Sequence, residues 1–407
     1  MRRGKNIITI LDIGSSKITC IVIKKVYMNN FEVLGISENI SKGIKSGMIV
    51  NLDLAQSSII QSIKNVEKIA LVTVKNVFVS LNSSCLISER STTDIILSTQ
   101  EVTIKDLNKM LFKVLSRFNK QEVQIIHTFP YEYILDGNRG IIHPLSLCGN
   151  KLTGFFHIVS VPLSYIANFS KCLEVCNLKI QGYICSGYAS GLSCLTAEEK
   201  EFGCALIDIG GASSTISIFF NEKIIFTDGV PYGGINITRD IAKIFNLDIE
   251  IAEKLKNIHG AMITSLSHLP SQTIGVDHEN KTNSKILINH HNLNEVIVAR
   301  MQEILMLLKS KIEDNGMTEL INKIVITGGC ASSVGIKELT ENIFSIKSRI
   351  GTPNNQEAIL TKFLKSRFTV PIGMIKCLSD MGYGRNTLLE DKKSIFQSVL
   401  VWLKDNF

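Results

Sequence analysis

Over the first 85 residues, β-branched apolar runs alternate with turn residues. "NIITILDIG" and "KITCIVIKKVY" predict two strands and "FEVLGISENI" a third. In "LDLAQSSIIQSIKNVEKIA" the period changes: Leu54, Ile59, Ile63, Val66 and Ile69 recur at helical spacing, and Asp53 stands where a cap is expected. "NVFVSLNS" returns to strand. The order β-β-β-α-β then recurs from Ala205, as "CALIDIGG", "STISIFF", "KIIFTDGV", a helix over "NITRDIAKIFN" and the strand "KIVITGG". An internal duplication of a strand-rich α/β unit is the simplest account, and it puts Asp12 and Asp208 at equivalent points.

Between the copies, Leu86 to Val161 has its own pattern. "TIKDLNKMLFKVLSRF" predicts a helix, and "VQIIHTFPYEYILDG" and "FFHIVSV" predict strands, enough for an inserted subdomain. After Gly260, "SLSHLPSQTIGVDHENKTNSK" reads as polar and irregular. "NEVIVARMQEILMLLKSKIE" is a strong amphipathic helix with Val296, Ile297, Met301, Ile304, Leu305 and Leu308 on one side.

Length and composition narrow the function classes. A chain of 407 residues exceeds one ordinary core and predicts two to four domains. The net charge of +7 is mild, and no Lys/Arg block has the density of a nucleic-acid-binding tail. The ten cysteines are scattered with no C-x-x-C pair; Cys172 and Cys176 lie one helical turn apart without a second pair to complete a metal site. His127, His143 and His157 have irregular spacing and no evident carboxylate partner, which favours structural or surface roles. No apolar run reaches membrane-spanning length and no secretory core follows the basic start, so the expected location is the cytosol, with reduced thiols.

The chemistry concentrates in two hairpins, "ILDIGSSKITCIVIKK" and "IDIGGASSTISIFF". Glycine and serine at a turn expose backbone N–H groups and hydroxyls with no bulky side chain in the way, so a phosphate chain can lie against them. Two such hairpins on facing domains would clamp phosphates from both sides. An Asp at the end of each strand could hold Mg²⁺ directly or through water, and Lys17 adds a point charge. A pair of ordinary hairpins with capping aspartates is the competing explanation. "IVITGGCASSVGIKEL" is a buried strand ending in Gly328 and Gly329, which permits close approach of a base and sugar. In "AEKLKNIHG", Glu253 and Lys256 lie one turn apart and face one way; taken alone, their spacing favours a solvated ion pair.

Strand–DIGSSK, strand–DIGGASS and strand–TGG, in this order, resemble the actin/Hsp70/sugar-kinase superfamily, and within it the bacterial cell-division FtsA family. "HTFPYEYILDG", "HPLSLCGNKL", "GVPYGGINITRDIAKIFN" and "RIGTP" extend the likeness over nearly the whole chain. The resemblance implies an actin-like two-domain α/β fold of the duplicated ribonuclease-H-like type with an inserted 1C subdomain, binding ATP and Mg²⁺ between the domains. Subdomain 1A would span 1–85 and 162–194, ending in 370–390 with a linker. The inserted 1C would be 86–161, 2A would be 195–236 and 310–369, and 2B would be 237–309. Asp12, Gly14, Ser15, Ser16 and Lys17 would form one phosphate loop, and Asp208, Gly210, Gly211, Ala212 and Ser213 the other. Asp12 and Asp208 would be the catalytic and metal-holding carboxylates, and Glu253, Lys256, Gly328 and Gly329 would hold the nucleoside. Relatives commonly read DIGGGTTD in the second loop; here Ala212, Ser213, Ser214 and Thr215 replace a glycine and a trailing carboxylate, which implies phosphate binding with at most weak ATPase activity.

Residues 391–407 predict an amphipathic helix. Ile395, Phe396, Val399, Leu400, Trp402, Leu403 and Phe407 crowd one side, with Lys393 and Lys404 near its ends. This suits a membrane interface rich in anionic lipid, although docking on the protein's own core would produce the same pattern. With the family resemblance, the expected function is a filament-forming adaptor. It would tether FtsZ filaments, through the FtsZ C-terminal tail and subdomain 2B, to the cytoplasmic face of the membrane at the division site, and recruit later division proteins. Many tails on one filament would turn a marginal anchor into a firm one. No nucleic acid is expected as a partner. A soluble actin-fold small-molecule kinase, or a pilus-assembly or rod-shape relative, is the alternative.

Overall fold

The computed structural model describes residues 7–27, 30–118, 122–262, 273–277, 285–354 and 365–380. The chain begins with β1 (Ile7–Ile13), β2 (Lys17–Tyr27), β3 (Asn30–Ile40), a small hairpin of β4 (Ile44–Lys45) and β5 (Met48–Ile49), then α1 (Leu52–Ala70) and β6 (Asn76–Leu81). An insertion follows: β7 (Ile87–Ile96), α2 (Ile104–Leu115), β8 (Val123–Leu135), β9 (Asn138–Ile141) and β10 (Lys151–Pro162). The chain returns through α3 (Leu163–Val175), β11 (Lys179–Cys185), α4 (Ser186–Cys194) and α5 (Ala197–Phe202). The second half comprises β12 (Cys204–Ile209), β13 (Ser214–Phe220), β14 (Lys223–Val230), α6 (Gly234–Phe245), α7 (Ile249–His259), β15 (Thr273–Asp277), β16 (Lys285–Asn289), α8 (His290–Asp314), β17 (Lys323–Thr327), α9 (Ile336–Phe344), β18 (Ser348–Ile350) and α10 (Thr369–Asp380).

Two five-stranded sheets share one topology, β3-β2-β1-β6-β11 and β14-β13-β12-β17-β18. In each, the first three strands are antiparallel and the remaining pairs parallel. The registers match as well: Asp12 faces Thr19 across β1 and β2, and Asp208 faces Thr215 across β12 and β13. Contact with a core on each face explains why β1 and β12 are apolar apart from Thr9, Asp12 and Asp208. On β1, Leu11 and Ile13 join the core under α1, while Ile10 joins the core that holds α10. On β12, Ile207 and Ile209 join the core under α8, while Cys204 and Leu206 face the other side. Central strands buried on both faces need such runs.

The helices are where the expectations need adjustment. In α1, Ile59, Ile63 and Val66 are buried, but Leu54 and Ile69 are exposed, because the buried stripe is narrower than the apolar count suggests. Its cap is Asn51, whose side chain accepts from Leu54 N at 3.0 Å; Asp53 lies inside the first turn, where its charge complements the helix dipole. The polar stretch after Gly260 contains a strand: β15 pairs antiparallel with β16, with Ile274 and Ile286 packed on the second core. Its short Ile–Gly–Val alternation is hard to see among polar neighbours. Residues 391–407, with Lys393 through Phe407, lie outside the described residues. No helix among the described residues is long and apolar enough to cross a membrane.

The insertion folds as the sheet β7-β10-β8-β9 under α2, around Met110, Leu152, Phe156 and Ile158. Helix α2 starts at a capping box between Thr103 and Asp106. A buried histidine fastens this unit to the second sheet. The Thr227 N–H donates to Ser88 Oγ at 3.2 Å, and His157 meets Ser88 Oγ at 2.8 Å through Nε2 and the Ile224 carbonyl at 3.0 Å through Nδ1. Nδ1 must carry a proton to donate to the Ile224 carbonyl, and in the neutral ring that burial favours, Ser88 donates to Nε2. His127 accepts from the Cys185 N–H at 3.0 Å. His143 is exposed, and Cys172 is buried in the core between α1 and α3.

Burial holds His127 at about 3 and His157 at about 4. Both sit below the ordinary histidine value, so the folded state binds fewer protons. The stability they contribute is full above about pH 6.5 and is lost as pH falls towards 4, at up to about 1.4 kcal/mol per pH unit for each. Denaturant melts between pH 7 and 4.5 should show His157→Gln to be less pH-sensitive than the wild-type chain; equal slopes would rule out this linkage.

Candidate functional site

The two hairpins meet. Gly14 N donates to Lys17 O at 3.0 Å, and at the matching place in the second hairpin Gly210 N donates to Ser213 O at 3.0 Å. Between them, and flanked by β17 and the segment before α10, lies a cleft of about 970 Å³. Asp12, Gly14, Ser15, Ser16, Lys17, Asp208, Gly210, Gly211, Ala212, Ser213, Gly328 and Gly329 all line it. The hairpins touch: a Cβ on Gly211 would stand 2.8 Å from Ser16 Cβ. Each loop is also pinned from outside. Gly47 N donates to Ser15 Oγ at 3.4 Å, and the amides of Gly234 and Ile235 at the start of α6 donate to the carbonyls of Gly210 and Gly211 at 3.0 and 2.7 Å.

Both aspartates line this cleft, each near the end of its central strand. Ser80 Oγ donates to Asp12 at 2.6 Å and also accepts from Ile13 N at 3.3 Å. Burial raises the Asp12 carboxyl above its usual range, against the Ser80 hydrogen bond and the Lys17 charge. Asp208 is pushed up to about 6, first by burial and then by the negative charge of Asp12, with Ser190 and Lys17 opposing. Lys17 is lowered, chiefly by its own burial. Two carboxylates that repel in a glycine-lined cleft have the chemistry to share a divalent cation. Among the described residues no group of three His, Cys, Asp or Glu could enclose a metal, so any cation here would complete its shell with other oxygens: water, a bound anion, hydroxyls or backbone carbonyls.

Glu253 and Lys256 are placed differently. Lys256 Nζ donates to Glu253 at 2.6 Å, to Thr238 at 2.8 Å and to the Gly234 carbonyl at 3.1 Å, and Thr238 also donates to Glu253. The pair fastens α7 to α6 beside the cleft, and Asn257 is the residue of α7 that lines it. Sequence reading also missed Glu38, Asn39, Ser80 and Asn82, and the segment Lys365–Thr369, all of which contribute to the cleft wall. A polar residue closing an apolar strand, such as Ser80 in "NVFVSLNS", was the one available signal.

This geometry can be compared with known proteins. A family model described as "Cell division protein FtsA" matches residues 205–373, and one described as "SHS2 domain inserted in FTSA" matches residues 84–160. The cell division protein FtsA of Agrobacterium fabrum is 33% identical over 363 residues, covering 86% of this chain and 82% of that protein. The chain belongs to the FtsA family of cell-division proteins. FtsA of Rhizobium meliloti is 29% identical and aligns with 100% of this chain and 96% of its own length, and FtsA of Pseudomonas aeruginosa is 27% identical with 100% and 99%. Among solved structures, this FtsA-family chain is similar to a PilM–PilN type IV pilus biogenesis complex (TM-score 0.63, 15% identity, covering 92% of this chain and 98% of that one). It is also similar to MreB5 of Spiroplasma citri bound to ADP (TM-score 0.52, 14% identity, 94% and 98%). At such identities the likeness is one of fold: actin-like, two-domain, with the SHS2 unit inserted.

The fit between Asp208 and the β17 turn is tight enough to test. Gly328 has φ of +91°, and a Cβ there would lie 2.3 Å from Asp208 Oδ1 and 2.5 Å from the Ile209 carbonyl, whereas a Cβ on Gly329 meets nothing within 4 Å. Gly328→Ala should cost roughly 2–4 kcal/mol in thermal melts and Gly329→Ala less than about 1. Equal costs would contradict this packing.

Proposed function

We propose that this FtsA-family chain binds ATP with Mg²⁺ between its two domains, assembles into filaments, and tethers FtsZ filaments to the cytoplasmic face of the membrane at the division site, recruiting later division proteins. The observation that carries the nucleotide reading is the pair of repelling carboxylates, Asp12 and Asp208, at the meeting point of two small-residue loops. Asp12 and Asp208 would hold the cation, directly or through water. The Gly14–Lys17 and Gly210–Ser213 loops would hold the phosphates, and Gly328 and Gly329 would approach the nucleoside. Glu253 and Lys256 would act on the nucleoside from α7 by way of their pair, with Asn257 as the contact. When bound, magnesium nucleotide supplies a divalent charge between the carboxylates and anionic oxygens against the loop amides and Lys17.

The chain's own residues bind and orient and leave little for turnover. No carboxylate follows the second loop. Ser213 Oγ accepts from Asn82 Nδ2 at 2.8 Å, and Ser214 Oγ donates to the Tyr232 carbonyl at 2.8 Å, so both hydroxyls already have partners. Activity at most that of a weak ATPase follows. The subdomain limits stated above, the FtsZ contact in 2B and the membrane helix of 391–407 belong to the same proposal; they rest on family membership and on the apolar face running from Ile395 to Phe407.

Neutralising one aspartate separates stability from binding. Because Asp208 is raised to about 6, the folded state binds more protons, and its ionisation costs stability as pH rises through 6. At pH 7.5 Asp208→Asn should stabilise the nucleotide-free chain by up to about 3 kcal/mol and abolish the extra stabilisation by Mg-ATP. An unchanged Mg-ATP shift would remove Asp208 from the site.

Co-sedimentation with anionic liposomes tests the adaptor reading. The full chain should pellet more with Mg-ATP than without, and a chain ending at Lys393 should stay in the supernatant in both cases. Identical behaviour of the two chains would sink the anchor.

A further inference from the structure

The cleft holds a third carboxylate besides Asp12 and Asp208. Glu38, near the end of β3, lines the cleft on the side of Lys17, with Oε1 3.8 Å from Lys17 Nζ and Oε2 3.3 Å from the Arg367 guanidinium. Arg367 belongs to the segment leading into α10, 350 residues from Lys17, and its carbonyl accepts from Lys17 Nζ at 3.0 Å. Phe368 lies beneath both cations, with its ring centroid 4.2 Å from Lys17 Nζ and 4.9 Å from the Arg367 guanidinium carbon, and is buried. The segment is fixed to the second domain too: Thr327 Oγ1, just before Gly328, donates to the Ser366 carbonyl at 3.1 Å. Arg367 therefore stands in the cleft on a strap tied to both domains.

This placement creates a competition. Glu38 is a ready partner for the one lysine of the first loop, and any anion seated on that loop must draw Lys17 away from it. A carboxylate left unpaired beside an anion would then repel it. We propose that Arg367 is a positioning residue for the anion site: it holds Glu38 as a counter-ion and so leaves Lys17 available to phosphate oxygens. The proposal deepens the ATP-binding reading and rests on it. Lys365 provides an internal comparison, since it lines the same cleft with the same charge, whereas the ion pairs of Glu38 are with Lys17 and Arg367.

The test is a mutant cycle on the full chain, read as the dissociation constant for ATP in the presence of Mg²⁺. Arg367→Ala should weaken binding roughly tenfold, and Arg367→Lys, which keeps the charge over Phe368, should stay within about threefold of wild type. Adding Glu38→Gln to Arg367→Ala should restore binding to within about threefold of wild type. Lys365→Ala should also weaken binding, but Glu38→Gln should not rescue it. Rescue of both arms alike would mean a diffuse charge effect, and failure to rescue Arg367→Ala would mean the strap matters only for shape; either result overturns the pairing. A wild-type chain that binds no ATP is a different result, because it removes the nucleotide reading itself.

Discussion

Two like charges held at close quarters organise this molecule. A carboxylate near the end of β1 and another near the end of β12 are fixed by strands that are mostly buried, with a core on each face, so neither can retreat without disturbing a core. Burial first, and the charge of Asp12 second, raise the Asp208 carboxyl to about 6. Free energy stored in this way persists only where surrounding structure overrides it. Here the surroundings are two sheets of one topology, arranged so that equivalent strand ends converge. The glycine turns, the close approach of Gly328 and the lysine of the first loop are arranged around that convergence.

The duplication was readable because it is written in local periods. β-branched runs, a helical stripe and a final strand recur, and each needs only a few neighbouring residues to declare itself. The site was readable as far as its residues sit in those repeats: Asp12, Asp208 and the glycine–serine turns. What remained hidden depends on pairings between distant parts of the chain. Ser80 reaches Asp12 across 68 positions, and Arg367 reaches the first loop across 350. No period encodes such a contact. The spacing of Glu253 and Lys256 correctly suggested an ion pair but not its direction, because a helix specifies which residues are neighbours and not which neighbouring element they face; here that element is α6. Local competition misled at the start of α1, where both Asn51 and Asp53 are good caps and the chain uses the earlier one.

The inserted unit shows how a domain can be added without loosening this arrangement. Its own core lies under α2, yet one face is joined to β14 through the Thr227–Ser88–His157–Ile224 chain. A fully satisfied buried polar chain tolerates few alternatives, since shifting the sheet by one residue would strand several groups at once. The insertion is thereby held in a definite orientation relative to the second sheet.

The unusual second loop fits the same logic. Ser213 provides a side-chain attachment to the opposite domain, with Asn82 Nδ2 donating to its Oγ at 2.8 Å, beside a backbone contact that any residue at 212 would offer, Ser46 Oγ donating to the Ala212 carbonyl at 2.7 Å. Ser46 sits in the turn of the β4–β5 hairpin and Asn82 just beyond β6, so both bonds break if the domains part at the loops. At about 0.5–1.5 kcal/mol each, they bias the pair of loops towards contact by roughly 1–3 kcal/mol before any ligand is present. A site already drawn together loses less freedom when an anion arrives and releases it more slowly. Holding and turning over make opposite demands on such a cleft, and a loop whose Ser213 hydroxyl binds the other domain is suited to holding.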